Sequence, residues 1–284
     1  AGRLTRPAGV GSRVAELPSS GALRRARPPS DTTEGTIVVS IFRYSEISEY
    51  HSRILNPLSE SKLAELGGIC RLAPGQRHLD LACGKGEMLC LFALRHGTLG
   101  LGIDLYPPFL ASARSRAAEL GVETSVVFRE GDASDPGEIE AGFDVVSCIG
   151  ATWIAGGLPG TLELMRRWAR PGGLILVGEV YWAEEPPAQV RQDQEAAQSF
   201  ADLAGTLERF EAAGLELVEM LLANTDDWDR YQASQWLAAS DWVAANPEDP
   251  DAEEVRRKTA AWRRSYLTDL RRCMGWGVFV GRDR

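Results

Sequence analysis

Residues 79–86 read Leu-Asp-Leu-Ala-Cys-Gly-Lys-Gly. An apolar run meets an acid, then two glycines one residue apart, and a helical pattern follows at once. This is how a parallel strand hands over to a helix around a small cofactor at the strand's carboxyl end. Spacing narrows the cofactor. A dinucleotide fingerprint needs Gly-x-Gly-x-x-Gly, and that register falls on Ala82, Gly84 and Glu87, so its first and third glycines are missing. The pattern acid-x-(Gly/Ala)-x-Gly-x-Gly fits instead, on Asp80, Ala82, Gly84 and Gly86.

Working outward, strand and helix patterns alternate. The spacing predicts helices over 59–66, 86–96, 107–120, 161–169 and 200–213. It predicts strands over 77–83, 99–105, 125–130, 143–149, 174–180 and 215–222. Prolines open the helix at Pro107, and Gly121 stops it. A Trp-rich helical block from Trp228 to Val243 ends at Asn246-Pro247. A second helix starts at Asp251-x-x-Glu254, a capping-box-like signal, and runs to about Arg271. Trp276-Gly-Val-Phe-Val-Gly281 reads as a last strand. The fold expected is α/β: a doubly wound, seven-stranded, mostly parallel sheet with an N-terminal helical segment and a two-helix insertion before the last strand. Residues 40–284 form one domain, with 40–70 as a cap segment and 224–272 as the insertion. Residues 1–39 are rich in Gly, Pro, Ser and Arg and read as a disordered tail, an extension or a targeting peptide.

Composition bounds the function. The 284 residues carry a net charge of −9. Residues 1–39 hold six arginines against Glu16, Asp31 and Glu34, so the remainder carries −12. An acidic body suits a small-molecule substrate better than nucleic acid. No apolar run approaches the ~18 residues of a membrane helix. The five cysteines show no Cys-x-x-Cys pair, which argues against structural zinc and for a reducing, cytoplasmic setting. No metal is expected. Homodimerisation is left open.

Two further acids extend the glycine stretch. Asp104 lies 18 residues after Gly86, at the end of the next strand, where a carboxylate can accept from both hydroxyls of a ribose. It could equally cap the helix at Pro107. Glu130-Gly-Asp132-Ala-Ser follows the third strand, and its acid could also be a plain turn aspartate. Three acids at successive strand ends are hard to explain separately.

With these motifs the chain resembles class I S-adenosylmethionine-dependent methyltransferases. It is similar to a bacterial group of them through Cys148–Gly157 (CIGATWIAGG), Gly178-Glu-Val-Tyr-Trp182, Asp227–Tyr231 and Gly275-Trp-Gly-Val-Phe. The resemblance implies the fold, the cofactor S-adenosylmethionine and a cofactor site of Asp80, Ala82, Cys83, Gly84, Gly86, Asp104, Leu105, Asp132, Ala133 and Cys148. The glycine turn would pack on the methionine moiety and Asp80 would serve its ammonium. Leu105 would lie against the adenine, with Asp132 and the Ala133 N–H at its edge. The loop after the fourth strand lacks the Asn/Asp-Pro-Pro-aromatic signature of base methylation, and Asn56-Pro57 lies in another segment.

A sulfonium methyl is already activated, so the protein mainly aligns a nucleophile and excludes water. A base is needed only for a nucleophile that arrives protonated. His51 is the expected base, since its unperturbed pKa is near 6.5, with Tyr181 the other catalytic candidate. Pocket candidates are Tyr44, Glu49, Thr152, Trp153, Glu179 and Trp182. His51 could instead sit on the surface, and Trp153 and Tyr181 in the core. Glu179 could pair with an arginine. The aromatic stripe over 228–242 reads mainly as core of the insertion. The expected function is methylation of a small molecule. The alternatives are a cofactor-binding protein without catalysis, or a protein or RNA methyltransferase.

Overall fold

The computed structural model of the protein describes residues 40–188, 190 and 200–283; the tail 1–39 lies outside them. Seven strands form one sheet: β1 Arg77–Leu81, β2 Leu99–Asp104, β3 Val126–Glu130, β4 Phe143–Ile149, β5 Ala169–Trp182, β6 Leu215–Leu222 and β7 Met274–Asp283. Their order is β3-β2-β1-β4-β5-β7-β6. Only β7 runs antiparallel, against β5 and β6. Order reverses between β1 and β4, and a ligand crevice belongs beyond the carboxyl ends at such a switch point.

The pleat sends alternate residues to opposite faces. Leu176, Trp276, Val278 and Val280 join one buried cluster, while Ile175, Val177 and Phe279 join another. Helices α3 (Glu87–His96) and α4 (Pro107–Leu120) close a third cluster over β2 and β3 through Leu89, Leu110 and Phe128. Helix α5 spans Leu158–Arg166 and not 161–169, because Gly157, at φ 109°, breaks the chain before Leu158-Pro159. Strand β5 begins at Ala169, and its register slips between Phe143 and Val145 of β4, so Arg170–Gly173 forms an irregular start of the strand. Helix α6 is Leu203–Ala212.

The N-terminal segment gives α1 (Ile41–Ser48) and α2 (Glu60–Ile69), with Ser59 capping α2. The insertion gives α7 (Thr225–Ala245) and α8 (Ala252–Ser265), followed by a π turn over Tyr266–Leu270 and a short α9 (Arg271–Cys273). The expected capping box at Asp251 does not form: Asp251 sits at φ −84°, ψ −13° with no side-chain cap bond, and Glu254 pairs with Arg257. The capping box lies at the start of α7, between Asn224 and Asp227. Helices α1, α7 and α8 share a small core of Ile47, Ala239 and Val255. The segment 41–48 and the insertion therefore meet. Among the described residues no helix is long and apolar enough to cross a membrane.

Candidate active site

The glycine loop is built from left-handed backbone. Ala82, Gly84 and Gly86 have φ of 58°, 54° and 68°. Such values cost a side-chain-bearing residue energy. A Cβ on Gly84 would lie 2.9 Å from Leu55, and one on Gly86 2.5 Å from the Phe128 ring. The bare backbone thus leaves room on the cavity side and lets α3 pack tightly on β3.

Asp104 fastens this loop. Its Oδ2 accepts from the Gly84 N–H at 2.8 Å and its Oδ1 from the Tyr106 N–H at 2.9 Å. Burial raises its pKa against those backbone donors. Asp80 is buried, with Gly102 and Ser147 as its strand neighbours. Ser147 Oγ donates to Asp80 Oδ1 at 2.6 Å, and His78 Nε2 lies 2.7 Å from the same hydroxyl. Since the serine proton goes to the carboxylate, His78 donates from Nε2 and leaves Nδ1 as the bare nitrogen without a partner. Burial holds His78 at about 3 and keeps it neutral. Burial also pushes Asp80 up to about 7; Ser147 opposes this and the Asp104 charge adds to it. Asp132 Oδ1 accepts from the Ser134 N–H and hydroxyl, so this acid is a turn aspartate as well as a cavity residue.

All of these border one cavity of about 1190 Å³ at the carboxyl ends of β1, β2 and β4. Asp80, Ala82, Cys83, Gly84, Gly86, Asp104, Leu105, Asp132 and Ala133 line it. Cys148 does not; it is fully buried in the core, and burial drives its thiol far up.

The expected substrate side disperses. Trp153 lines the cavity and is half exposed. Thr152 and Glu179 are buried outside the lining, where Thr152 Oγ1 donates to Glu179 Oε2 at 2.5 Å and the Val180 N–H donates to Oε1 at 2.9 Å. Burial lifts Glu179 to about 7. Tyr181 packs edge-on against Phe279 and over Gly275, where a Cβ would sit 2.2 Å from its ring. Trp182 meets Phe200 in the core. Strand β5 outruns β4, whose Ile149 pairs with Gly178; from Glu179 onward its partners are Gly277 to Met274 of β7. That tip is packed between neighbours and does not open on the crevice. Tyr44 faces α8, with Oη 3.0 Å from Thr259 Oγ1. His51 is exposed and lies 3.3 Å from Asp241, so the imidazole expected as a base is not part of the cavity wall.

Of the expected residues Glu49 does reach the cavity, and residues that were not expected join it. Glu49 and Tyr231 line the cavity, and Glu49 Oε1 accepts from Tyr231 Oη at 2.7 Å and from Gln235 Nε2 at 2.6 Å. Lys85, between the two glycines, donates to the carbonyls of Glu49 and Ser52 at 2.7 and 2.8 Å. Phe42 stacks on Tyr106 at 5.5 Å. Asn56 Nδ2 donates to the Ile149 carbonyl at the end of β4. Tyr231 and Gln235 carry a sequence signal, four residues apart on one helix face, but no local pattern says what they face. Lys85 was legible as the residue enclosed by two glycines.

Comparison with known proteins agrees with this geometry. A family model described as a methyltransferase domain matches residues 72–236. The Escherichia coli (strain K12) protein YjhP is 44% identical over 245 residues, covering 85% of this chain and 98% of its own. A Geobacter sulfurreducens S-adenosylmethionine-dependent methyltransferase, solved with S-adenosylhomocysteine, is 44% identical with a TM-score of 0.81, covering 85% of this chain and 98% of that one. Nocamycin O-methyltransferase of Saccharothrix syringae is 36% identical over 122 residues, 42% of this chain and 41% of its own. The chain belongs to the methyltransferase-domain family and is an S-adenosylmethionine-dependent methyltransferase.

Proposed function

We propose that the methyl acceptor is a small molecule held in the same cavity as the cofactor. The observation that carries this is the cavity's make-up: the glycine loop, α1 with its carboxyl-terminal Glu49, and Tyr231 of α7 all line one space of about 1190 Å³. Ligand pockets typically span about 300–1,000 Å³, so this one has room for two small ligands together. The nocamycin enzyme, whose name gives a small-molecule O-methylation, supports the reading.

The lining residues fit the cofactor, because the bare Gly84 backbone keeps open a space that a Cβ would fill. In this proposal Asp104 serves the ribose hydroxyls, Asp80 the ammonium, and Asp132 with the Ala133 N–H the adenine, beside Leu105. Bound there, the cofactor supplies an electrophilic methyl group. The chain aligns the acceptor with it and excludes water through the apolar lining of Phe42, Leu55, Leu58 and Phe109. The reading is of direct in-line transfer driven by positioning. The five cysteines, all free, support a reducing compartment such as the cytoplasm.

Calorimetry with S-adenosylhomocysteine tests the site assignments. A hydrogen bond to a charged group contributes about 1.5–3 kcal/mol, so Asp104→Ala weakens binding by about 10- to 150-fold. Unchanged affinity would reject the role given to Asp104. Screening the intact protein with cofactor against small acceptors tests the acceptor class, and transfer only to protein or RNA would reject it.

A further inference from the structure

Three separated stretches of chain meet at Glu49. It is the carboxyl-terminal cap of α1, its carbonyl accepts from Lys85 of the glycine loop, and its carboxylate accepts from Tyr231 and Gln235 of α7. Both carboxylate bonds fall on Oε1. The other oxygen, Oε2, is buried and has no partner. Glu49 is only 7% exposed, yet it lines the cavity. A carboxylate oxygen left empty in a dry site is costly, and the residue that carries it lines the cavity.

The hydrogen positions carry the argument further. Tyr231 Oη lies 2.7 Å from Glu49 Oε1 and 3.0 Å from the Leu55 carbonyl. A hydroxyl has one proton, and a carbonyl can only accept. With Glu49 protonated on Oε2, Oε1 keeps the Gln235 N–H while the tyrosyl proton is free to turn to the Leu55 carbonyl. With Glu49 ionised, the tyrosyl proton turns to Oε1 and joins the Gln235 N–H there. The same heavy-atom positions serve both states, so the side chain gains and loses a proton without rearrangement. Burial pushes Glu49 up to about 7, opposed by Tyr231, Gln235 and Lys85. The other charged or titratable groups around it are Tyr44, with Glu46 and Arg53 beside Lys85.

The surroundings select the acceptor. Both cationic lining residues are engaged, Lys85 by two carbonyls and Arg53 by Glu119 at 3.2 Å. That disfavours an acceptor carrying a carboxylate or phosphate. An ammonium acceptor needs a permanently ionised partner, whereas Glu49 is arranged to change state. Phe42, Ile54, Leu55, Leu58 and Phe109 give the wall apolar surface, interrupted by Ser45 and Asn56.

We propose that Glu49 is the general base of the transfer and that the acceptor is an apolar molecule presenting a hydroxyl group. This rests on the small-molecule reading above. The acceptor's O–H bond breaks, its proton goes to Glu49, and its electron pair stays on oxygen. That pair forms the new O–CH₃ bond as the methyl–sulfur bond breaks with its electrons passing to sulfur, which becomes a neutral thioether. Glu49 returns the proton to water when product leaves. Tyr231 is a positioning residue, acting through the carboxylate it holds.

The test begins with cofactor-free full-length protein labelled with ¹³C at glutamate carboxyls. Two carboxyls, those of Glu49 and Glu179, are expected to titrate near pH 7, and one of the two to vanish in Glu49→Gln. Calorimetry with S-adenosylhomocysteine is expected to give the variant a Kd within about threefold of wild type. Hydroxylated aromatic and alicyclic compounds, with their thiol and amine counterparts, are then offered with S-adenosylmethionine. The intact protein is expected to methylate hydroxyl members, with kcat rising through pH 7. Glu49→Gln should lower kcat by about 10²–10⁴ and flatten that rise. Tyr231→Phe removes a donor to the ionised state and should move the midpoint upward. If Glu49→Gln folds poorly, Glu49→Asp keeps a carboxylate at a shorter reach and should lower kcat while the rise of kcat with pH persists. If Glu49→Gln removes no signal that titrates near 7, or if the Gln variant stays within threefold of wild-type kcat, the base is overturned. Transfer to amines or thiols but not hydroxyls overturns the acceptor class alone. A protein that binds S-adenosylhomocysteine but methylates no small molecule overturns the small-molecule reading together with the acceptor class, while the titration still decides the state of Glu49.

Discussion

Asp80 and Asp104 could be read from the sequence because their signal is local. Each is an acid at the end of an apolar run, followed within a few residues by a glycine or proline that fixes the turn. Glu179 and Tyr181 misled for a complementary reason. Both end an apolar run, but what they face depends on how far β5 outruns β4, and only pairing across the sheet sets that. The buried acids carry a pH consequence. Asp80, Glu49 and Glu179 are each pushed up to about 7 by burial, against ordinary values near 4. Between about pH 4 and 7 the folded state therefore binds more protons than the unfolded one, and stability falls as pH rises through that window. Asp229 and Glu254 act oppositely: Arg271 and Arg257 hold them below the usual range, and their contribution is lost in acid. The groups around the three raised acids include Ser147, Asp104, Cys83 and Cys148 at Asp80, Tyr231, Gln235, Tyr44 and Lys85 at Glu49, and Thr152, Cys148 and Arg209 at Glu179. Cofactor-free protein should melt higher at pH 5.5 than at pH 8, by about 2–4 °C per kcal/mol for a domain of this size. Calorimetric scans across that range check it, and a Tm rising toward pH 8 would contradict the burial argument.

At the scale of elements, the strands and helices around the sheet were legible because their apolar periodicity is strong and glycine or proline marks their ends. The misreading at α8 shows what periodicity leaves out. Asp251-x-x-Glu254 and Asn224-x-x-Asp227 look alike as strings, but only the second places its first residue in extended backbone, at φ −89°, ψ 173°, where the side chain reaches the third N–H of the helix. Asp227 also meets Lys62 of α2 at 2.6 Å, and the same Lys62 donates to the Leu222 carbonyl at the end of β6. One acid thus starts α7 and ties it to α2. Asn224→Ala should cost about 1 kcal/mol, whereas Asp251→Ala, which breaks no cap bond, should change stability by under about 0.5 kcal/mol. Urea denaturation of both variants compares them directly; equal losses would mean that the box at Asn224 contributes nothing special.

Across the whole molecule, the cap segment and the insertion are far apart in sequence, and no local signal says that they meet. Their meeting is a product of topology: β7 returns antiparallel between β5 and β6, so the chain just before it lies beside the α1–α2 segment. Lys85 links the cofactor loop to this arrangement. It is flanked by the two glycines of the cofactor loop, and its ammonium donates to the carbonyls of Glu49, the cap of α1, and of Ser52, in the turn after it, a favourable place for a cation at a helix carboxyl end. Ordering the loop around a ligand therefore orders the lysine, then α1, then α7 through Glu49 and Tyr231. Hydrogen exchange should show S-adenosylhomocysteine protecting amides not only in 82–90 but also in 41–56 and 226–238. In Lys85→Ala the protection of 82–90 should persist, while that of 41–56 and 226–238 falls by tenfold or more, since the Glu49 carbonyl keeps only the Ser52 N–H, the Ser52 carbonyl loses the lysine, and the path from loop to cap is cut. Equal protection of the cap in both proteins would show that the cap closes independently of the loop, by its packing on α7 and α8 alone.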